Sequence, residues 1–217
     1  MPRFPAMEMD SFWDLIERSW RHTADPEERV EWLTGQLTRL PSDEIVAFQV
    51  WLERLHQWAD SWRMWGAAYQ ICDGMCSEDG FWGFQSWLIG LGRDAFERVV
   101  AHPDALADVP QVRRLAGRGA DGWAEHEWPE WESLDYVARR AYAQVTGEED
   151  GFEEALEARG HDSSLSPEPA GERWDFEDTA EVARRFPRLA RMFPLSPRVD
   201  DRDETDGGCY RQLASER

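Results

Sequence analysis

The sequence predicts an all-α protein built around a central helical hairpin, and two observations support this. Along most of the first 146 residues, apolar side chains recur every three or four positions, as in amphipathic helices. Pro, Gly, Ser and Asp stand where these stretches begin and end, as caps and breakers do. We therefore expect a compact helical domain over residues 1–158 and an acidic, partly disordered tail over residues 159–217.

Three amphipathic helices are predicted ahead of the central hairpin. The first covers residues 10–22. In the second, Asp25 is the expected N-cap, Pro26 occupies the first helical position and Pro41 follows the end. Ser42 is the expected cap of the third helix. Its aromatic face recurs at helical spacing through Phe48, Trp51, Leu55, Trp58 and Trp62.

The central stretch, WGAAYQICDGMCSEDGFWGFQSWLIGLGR, is predicted to form two short helices joined by a tight acidic turn at Asp73. Ser77 is the expected cap of the second helix. That helix is apolar on two sides, so we expect it to be buried. Its third side carries small residues, which would let a neighbouring backbone or a ligand approach closely. These are Asp79, Gly83, Ser86 and Gly90.

This hairpin also carries a family resemblance. W-G-A-A-Y is followed by a small-residue turn with Cys-Ser and two acids, and then by G-F-x-x-F-x-x-W-L-I-x-x-G-R. The pattern resembles the bacterial family called domain of unknown function 4240, over about residues 10–146 and most specifically from Trp65 to Arg93. The resemblance supports the domain boundary and implies no activity.

Beyond the hairpin the pattern is less regular. Residues 108–131 are rich in Gly, Trp and acid and are expected to form a long loop over the core. Ser133 is the expected cap of a helix that Gly147 ends. In the tail, residues 174–193 suit one short helix that Pro187 interrupts or bends. Its expected apolar face consists of Phe176, Ala180, Ala183 and Phe186.

The composition disfavours several classes of function. Forty-four acidic residues against 24 basic ones give a formal charge of −20, which repels nucleic acid and anionic membranes. All basic residues are Arg and the chain has no Asn, which excludes Schiff-base lysines and triads that use Asn. There is no apolar stretch of the ~18 residues that a membrane span needs and no apolar leader segment, so we expect a cytoplasmic protein.

No cofactor or metal is predicted. Cys72 and Cys76 lie four residues apart, but no second pair completes a zinc motif, so structural cysteines are favoured. The acidic run Glu125–Glu132 matches no ligand template and is expected to be solvated, with a bound divalent cation as the alternative. His56 is expected at the surface, with a role as metal ligand as the alternative.

A binding site is predicted beside the start of the second hairpin helix. The hypothesis is a binding or regulatory module with a Trp-rich groove that receives a cationic small molecule or a basic protein segment. The alternative is an enzyme that uses Glu78 or Asp79 as general acid or base, or as a metal ligand. The oligomeric state is left open. The candidate site residues are Trp65, Tyr69, Glu78, Asp79, Trp82, Gln85, Ser86 and Trp87.

Overall fold

The computed structural model describes residues 7–148, 151–159 and 168–195, and over these residues it confirms the all-α prediction. Its α-helices are α1 (Met9–His22), α2 (Pro26–Leu37), α3 (Ser42–Ala59), α4 (Trp62–Ile71), α5 (Glu78–Gly90), α6 (Arg93–Ala101), α7 (Pro110–Leu115), α8 (Val137–Thr146), α9 (Gly151–Glu157), α10 (Thr179–Arg185) and α11 (Leu189–Met192). Short 3-10 helices cover Pro103–Asp108, Ala120–Gly122, Glu125–Glu127 and Glu132–Tyr136. A single parallel bridge between Ser61 and Ala170 is the one strand-like pairing among the described residues.

Capping chemistry sets several helix ends as the sequence predicts. The Asp25 carboxylate accepts a hydrogen bond from the Glu28 amide at 3.0 Å, which starts α2. The Ser77 hydroxyl accepts one from the Gly80 amide at 3.1 Å, which starts α5. Gly147 ends α8 in the left-handed region, with φ 76°. Each contact satisfies a backbone group that the end of a helix would otherwise leave unpaired.

The predicted end of the third helix is wrong. α3 ends at Ala59, and Trp62 begins α4 instead of extending the aromatic face of α3. The Ser61 hydroxyl caps α4 by accepting a hydrogen bond from the Met64 amide at 3.2 Å. A local capping contact therefore overrides a periodicity that continues across the break.

Two predicted caps are also wrong. Pro41, not Ser42, precedes α3, and it makes no capping contact through its side chain. Ser133 lies inside a 3-10 helix, and its hydroxyl donates to Glu27 at 2.8 Å. That hydrogen bond ties the segment before α8 to α2.

The hairpin of α4 and α5 is confirmed, with a turn in which Asp73 adopts φ 52°. The small-residue side of α5 is covered by neighbouring chain. The Trp131 amide donates to the Gly83 carbonyl at 3.0 Å. A Cβ atom on Gly90 would lie 2.6 Å from the Trp131 ring. At Gly83 the approach of a neighbouring backbone is therefore observed, whereas Gly90 meets the ring of a neighbouring side chain.

The loop predicted over residues 108–131 is wrong in part, because Pro110–Leu115 form α7. The remaining segment, between α7 and α8, lies over the core. Short 3-10 turns interrupt its irregular path, and its Trp123 and Trp131 side chains are buried. Aromatic burial thus anchors a segment that has little regular structure of its own.

Residues 168–195 pack into the core, which therefore continues past the boundary expected at residue 158. Phe186 and Leu189 are fully buried at 0% exposure. α10 and α11 are separated at Pro187, as the sequence suggested. The expected apolar face is wrong in part, because Ala180 and Ala183 are exposed. The buried side chains of these helices and their flanks are Val182, Phe186, Leu189 and Phe193. The predicted disorder concerns mainly residues outside the described ranges.

The Trp174 ring packs against the backbone of α4 at Gly66, and this contact gives a first prediction. A Cβ atom on Gly66 would lie 2.2 Å from Trp174 Cζ2. Gly66→Ala should therefore lower the free energy of unfolding by about 1–3 kcal/mol through overpacking. Gly35→Ala is the control, because nothing lies within 4 Å of its Cβ position. It should raise stability by about 0.5–1 kcal/mol. Urea unfolding measures both, and a stabilising Gly66→Ala would contradict the packing of Trp174.

Candidate functional site

Four tryptophans converge on one cleft of about 450 Å³. Trp20 comes from α1, Trp87 from α5, and Trp128 and Trp131 from the segment that precedes α8. The volume lies in the ordinary range for small-molecule sites, roughly 300–1,000 Å³. We call this the Trp cleft. Its other lining residues are Ala24, Asp25, Pro26, Arg29, Gly90, Leu91, Gln111, Arg114, Leu115, His126, Glu127 and Glu130.

Arg29 is the buried charged residue of the Trp cleft, with 4% of its surface exposed. Its Nε donates to the Ser19 hydroxyl at 3.0 Å, and its Nη2 donates to the Gly90 carbonyl at 2.9 Å. The guanidinium carbon lies 4.0 Å from the centre of the Trp131 ring, in cation–π geometry. These contacts fix the guanidinium between α1, the end of α5 and the segment before α8.

The charge of Arg29 has no carboxylate partner among the described residues. Burial lowers its pKa to about 10, so the side chain is still a cation at neutral pH. The third guanidinium nitrogen, Nη1, makes no hydrogen bond to any of the described residues. Of the acids lining the cleft, Glu127 is held by Arg118 at 2.6 and 2.8 Å. Asp25 caps α2.

A sequence signal for Arg29 exists, although the sequence interpretation did not use it. Arg29, Leu33 and Leu37 recur every four residues on α2, and both leucines are fully buried. A cation in register with a buried apolar stripe is uncommon, because burying a charge is costly unless it is compensated. Trp128 and Trp131 come from an irregular segment that is distant in the sequence, and no local pattern predicts that they meet Arg29.

A second polar cluster is buried between α3, α5 and the 3-10 helix Glu132–Tyr136. The Ser86 hydroxyl donates to Asp135 Oδ2 at 2.9 Å and lies 3.0 Å from His56 Nε2. Trp82 Nε1 also donates to Asp135 Oδ2 at 2.9 Å. His56 is 2% exposed and Ser86 is 0% exposed. The expectation that His56 lies at the surface is therefore wrong.

His56 and Asp135 together hold one titratable proton. Because Ser86 donates to Asp135, it accepts from His56 Nε2, which places a hydrogen on that nitrogen. His56 Nδ1 is buried and has no partner among the described residues, so an imidazolium would bury an unpaired N–H. Burial lowers the pKa of His56 to about 3 and raises the pKa of Asp135 to about 7. Between these two pKa values, the neutral imidazole beside a protonated carboxyl group is thus the favoured state of the pair.

These residue types match a hydrolytic triad, but their arrangement does not. In a triad the acid orients the histidine through the ring nitrogen opposite the serine. Here Ser86 and Asp135 both lie on the Nε2 side of His56, at 3.0 and 3.5 Å. Ser86 is also fully buried, out of reach of a substrate. The cluster instead satisfies polar groups where three elements meet.

The eight side chains proposed from the sequence fall in different environments. Trp87 lines the Trp cleft, whereas Trp82 and Ser86 belong to the His56 cluster. Glu78 and Asp79 are exposed in the first turn of α5. The remaining three are buried: Gln85 donates to the His56 carbonyl at 3.1 Å, Trp65 stacks on Phe81 at 4.0 Å, and the Tyr69 hydroxyl donates to Glu177 at 3.1 Å.

Cys72 and Cys76 are free and buried. Burial, with a smaller contribution from the charge of Glu130, raises the pKa of Cys76 to about 12. Burial also raises the pKa of Cys72 well above its ordinary value. Both are therefore thiols at neutral pH, which suits packing better than nucleophilic chemistry. In the part of the chain that the structure describes, no three His, Cys, Asp or Glu residues are grouped as metal ligands would be.

A further concavity of about 580 Å³ lies between α4, α10 and α11. None of its described lining residues is aromatic, and Leu195, at its rim, is the last residue described in this part of the chain. Its buried polar side chain, Gln70, donates to the Phe193 carbonyl. This concavity lacks the aromatic walls and the buried cation of the Trp cleft.

The fold and the cleft define an all-α protein with a tryptophan-lined cavity beside a buried arginine. The chain belongs to the family described as protein of unknown function DUF4240, whose profile matches residues 7–144. Neither a curated protein nor a solved structure matches the chain. None of the helices within the described residues is long and apolar enough to cross a membrane.

Proposed function

We propose that this protein is a binding module for a small molecule and that the ligand occupies the Trp cleft. The observation that carries the proposal is the convergence of Trp20, Trp87, Trp128 and Trp131 on one concave site. Aromatic walls bind planar groups by offset stacking and edge-to-face contacts, which contribute about 0.5–1.5 kcal/mol for each pair.

The tryptophan rings of the cleft differ in how firmly the protein holds them. At least one wall of the site is already fixed in the absence of a ligand. Trp131 is 4% exposed and is fixed by the guanidinium of Arg29. Trp20 is 46% exposed at the edge of the cleft, where a ligand could cover it. A wall that is preformed loses little side-chain entropy on binding, so more of the contact energy appears as affinity.

Indole is a suitable neutral probe for this proposal. Titration of the 15N-labelled protein with indole should shift the indole N–H signals of the four cleft tryptophans in a saturable manner. Trp20→Ala should weaken binding about 3–10-fold, because it removes one stacking partner. Trp58→Ala is the matched control, since Trp58 is 57% exposed and does not line the cleft. Absence of saturable shifts, or equal losses in both variants, would contradict the proposal.

A further inference from the structure

We infer that the ligand of the Trp cleft is an aromatic molecule that carries a single carboxylate, and that Arg29 receives this group. The inference rests on the proposed function and adds the chemical class of the ligand. Its basis is a buried cation that lines the cleft and has no anion beside it among the described residues.

The guanidinium of Arg29 has one edge left for a ligand. The protein uses Nε for Ser19 and Nη2 for Gly90. The Cβ position of Gly90, which also lines the cleft, lies 3.4 Å from Nη1. Nη1 therefore lies next to Gly90, and a side chain at that position would fill this part of the cleft. An anion that reached it would gain a charge-assisted hydrogen bond.

The energetics favour an anionic occupant. A buried charge without a counter-charge is costly, and an anion in contact with it recovers part of that cost. The charge of the whole chain, −20, points the opposite way, because it repels anions that have no specific contact. A bare inorganic anion should therefore bind weakly. An aromatic acid combines stacking on the tryptophans with the contact at Arg29, and its single charge matches the single buried cation of the cleft.

The cationic partner expected from the sequence rests on the overall charge of the chain and on Glu78 and Asp79. Those two side chains do not line the Trp cleft. Asp25 and Glu127, which do line it, already make a capping contact and an ion pair. Glu130, which also lines the cleft, makes no ion pair among the described residues, but it is exposed to solvent. The buried charged group of the cleft is the cation Arg29, and we therefore assign an anion to it.

Indole-3-carboxylate and indole-3-carboxamide test the inference as a pair, because they share size and shape and differ in charge. The carboxylate should bind wild-type protein at least tenfold more tightly than the carboxamide, by calorimetry at pH 7. This comparison requires no variant, so it stands even if changes at Arg29 prevent folding. Equal affinities would overturn the inference.

Arg29→Gln locates the contact. It should reduce the preference for the carboxylate to less than threefold and leave the affinity for neutral indole within threefold. Arg39→Gln is the matched control, because it makes the same charge change at an exposed position of the chain just beyond α2. A preference that survives Arg29→Gln would overturn the assignment. So would tighter binding of phenyl phosphate than of benzoate, since it would show that charges do not need to match.

The outcomes separate the inference from the proposed function. Binding of neutral indole in the cleft without any preference for the carboxylate would leave the proposed function standing and overturn the inference. Absence of binding by indole and by both derivatives would overturn both.

Discussion

Phe186→Ala is expected to lower the free energy of unfolding by about 3–5 kcal/mol. Phe186 is fully buried at the end of α10, and its ring centre lies 5.8 Å from that of Trp174. Its removal leaves a cavity in the core, which adds to the lost transfer free energy. Val145→Ala is the control, because Val145 is 43% exposed and should cost no more than about 0.5 kcal/mol. Chemical unfolding followed by circular dichroism measures both.

A chain that ends at Ala158 tests the same packing more severely. The sequence suggests that residues 159–217 can be removed without unfolding the rest, and the structure leads us to the opposite expectation. The shortened chain loses the buried side chains of the C-terminal segment and should be less stable than Phe186→Ala. A shortened chain as stable as the full one would show that the C-terminal segment does not contribute to the core. In the shortened chain, Gly66→Ala should also lose its cost, since Trp174 is absent.

The second large effect concerns pH and the pair of His56 and Asp135. Between pH ~4 and ~6.5 an unfolded chain carries a charged His and a charged Asp, which hold one proton between them. The folded pair also holds one proton, so its contribution to stability should not change over this range. Single substitutions remove this balance.

Asp135→Asn leaves a buried His56 whose lowered pKa opposes proton uptake. The unfolded chain then binds more protons, so the variant should lose stability relative to wild type as the pH falls from ~6.5 to ~4, by about 1.4 kcal/mol per unit. His56→Gln leaves Asp135 with a raised pKa. That variant should lose stability relative to wild type as the pH rises over the same range.

Unfolding free energies at five pH values measure these slopes. Gly35→Ala, which changes no titratable group and has nothing within 4 Å of its Cβ position, is the control and should run parallel to wild type. The two test variants should diverge from wild type in opposite directions. Curves parallel to wild type for both would show that the pair does not hold its proton in the way that its burial implies.

The predicted hairpin was correct because its determinants are local. Asp73 with Gly74 defines the turn, and Ser77 starts the following helix within three residues. The C-terminal packing was not predictable in the same way. Four apolar side chains between Val182 and Phe193 carry it, and they alternate with arginines inside a tail whose overall composition is polar. Burial depends on where these few side chains meet the rest of the fold.

The site was harder to predict than the fold for a related reason. The sequence identified a Trp-rich surface, and Trp87 does line the cleft. It placed the polar groups of the site at Glu78, Asp79, Gln85 and Ser86 because these are the polar side chains of a largely apolar helix. Arg29 meets the tryptophans only through tertiary contacts with α1 and α5. Asp135 joins His56 across segments that are distant in the sequence.

The packing of the C-terminal segment on α4 has a consequence for synthesis of the chain. Its contacts link Tyr69 to Glu177 and Trp62 to Trp174, which are separated by 108 and 112 residues. Ribosomes add about 5–20 residues per second, so α4 emerges at least ~5 s before its covering segment. During that interval the surface of α4 at Gly66, with the apolar side chains around it, is exposed to solvent on the nascent chain. The native packing of α4 is therefore completed late in translation, and chaperones can bind this face in the meantime.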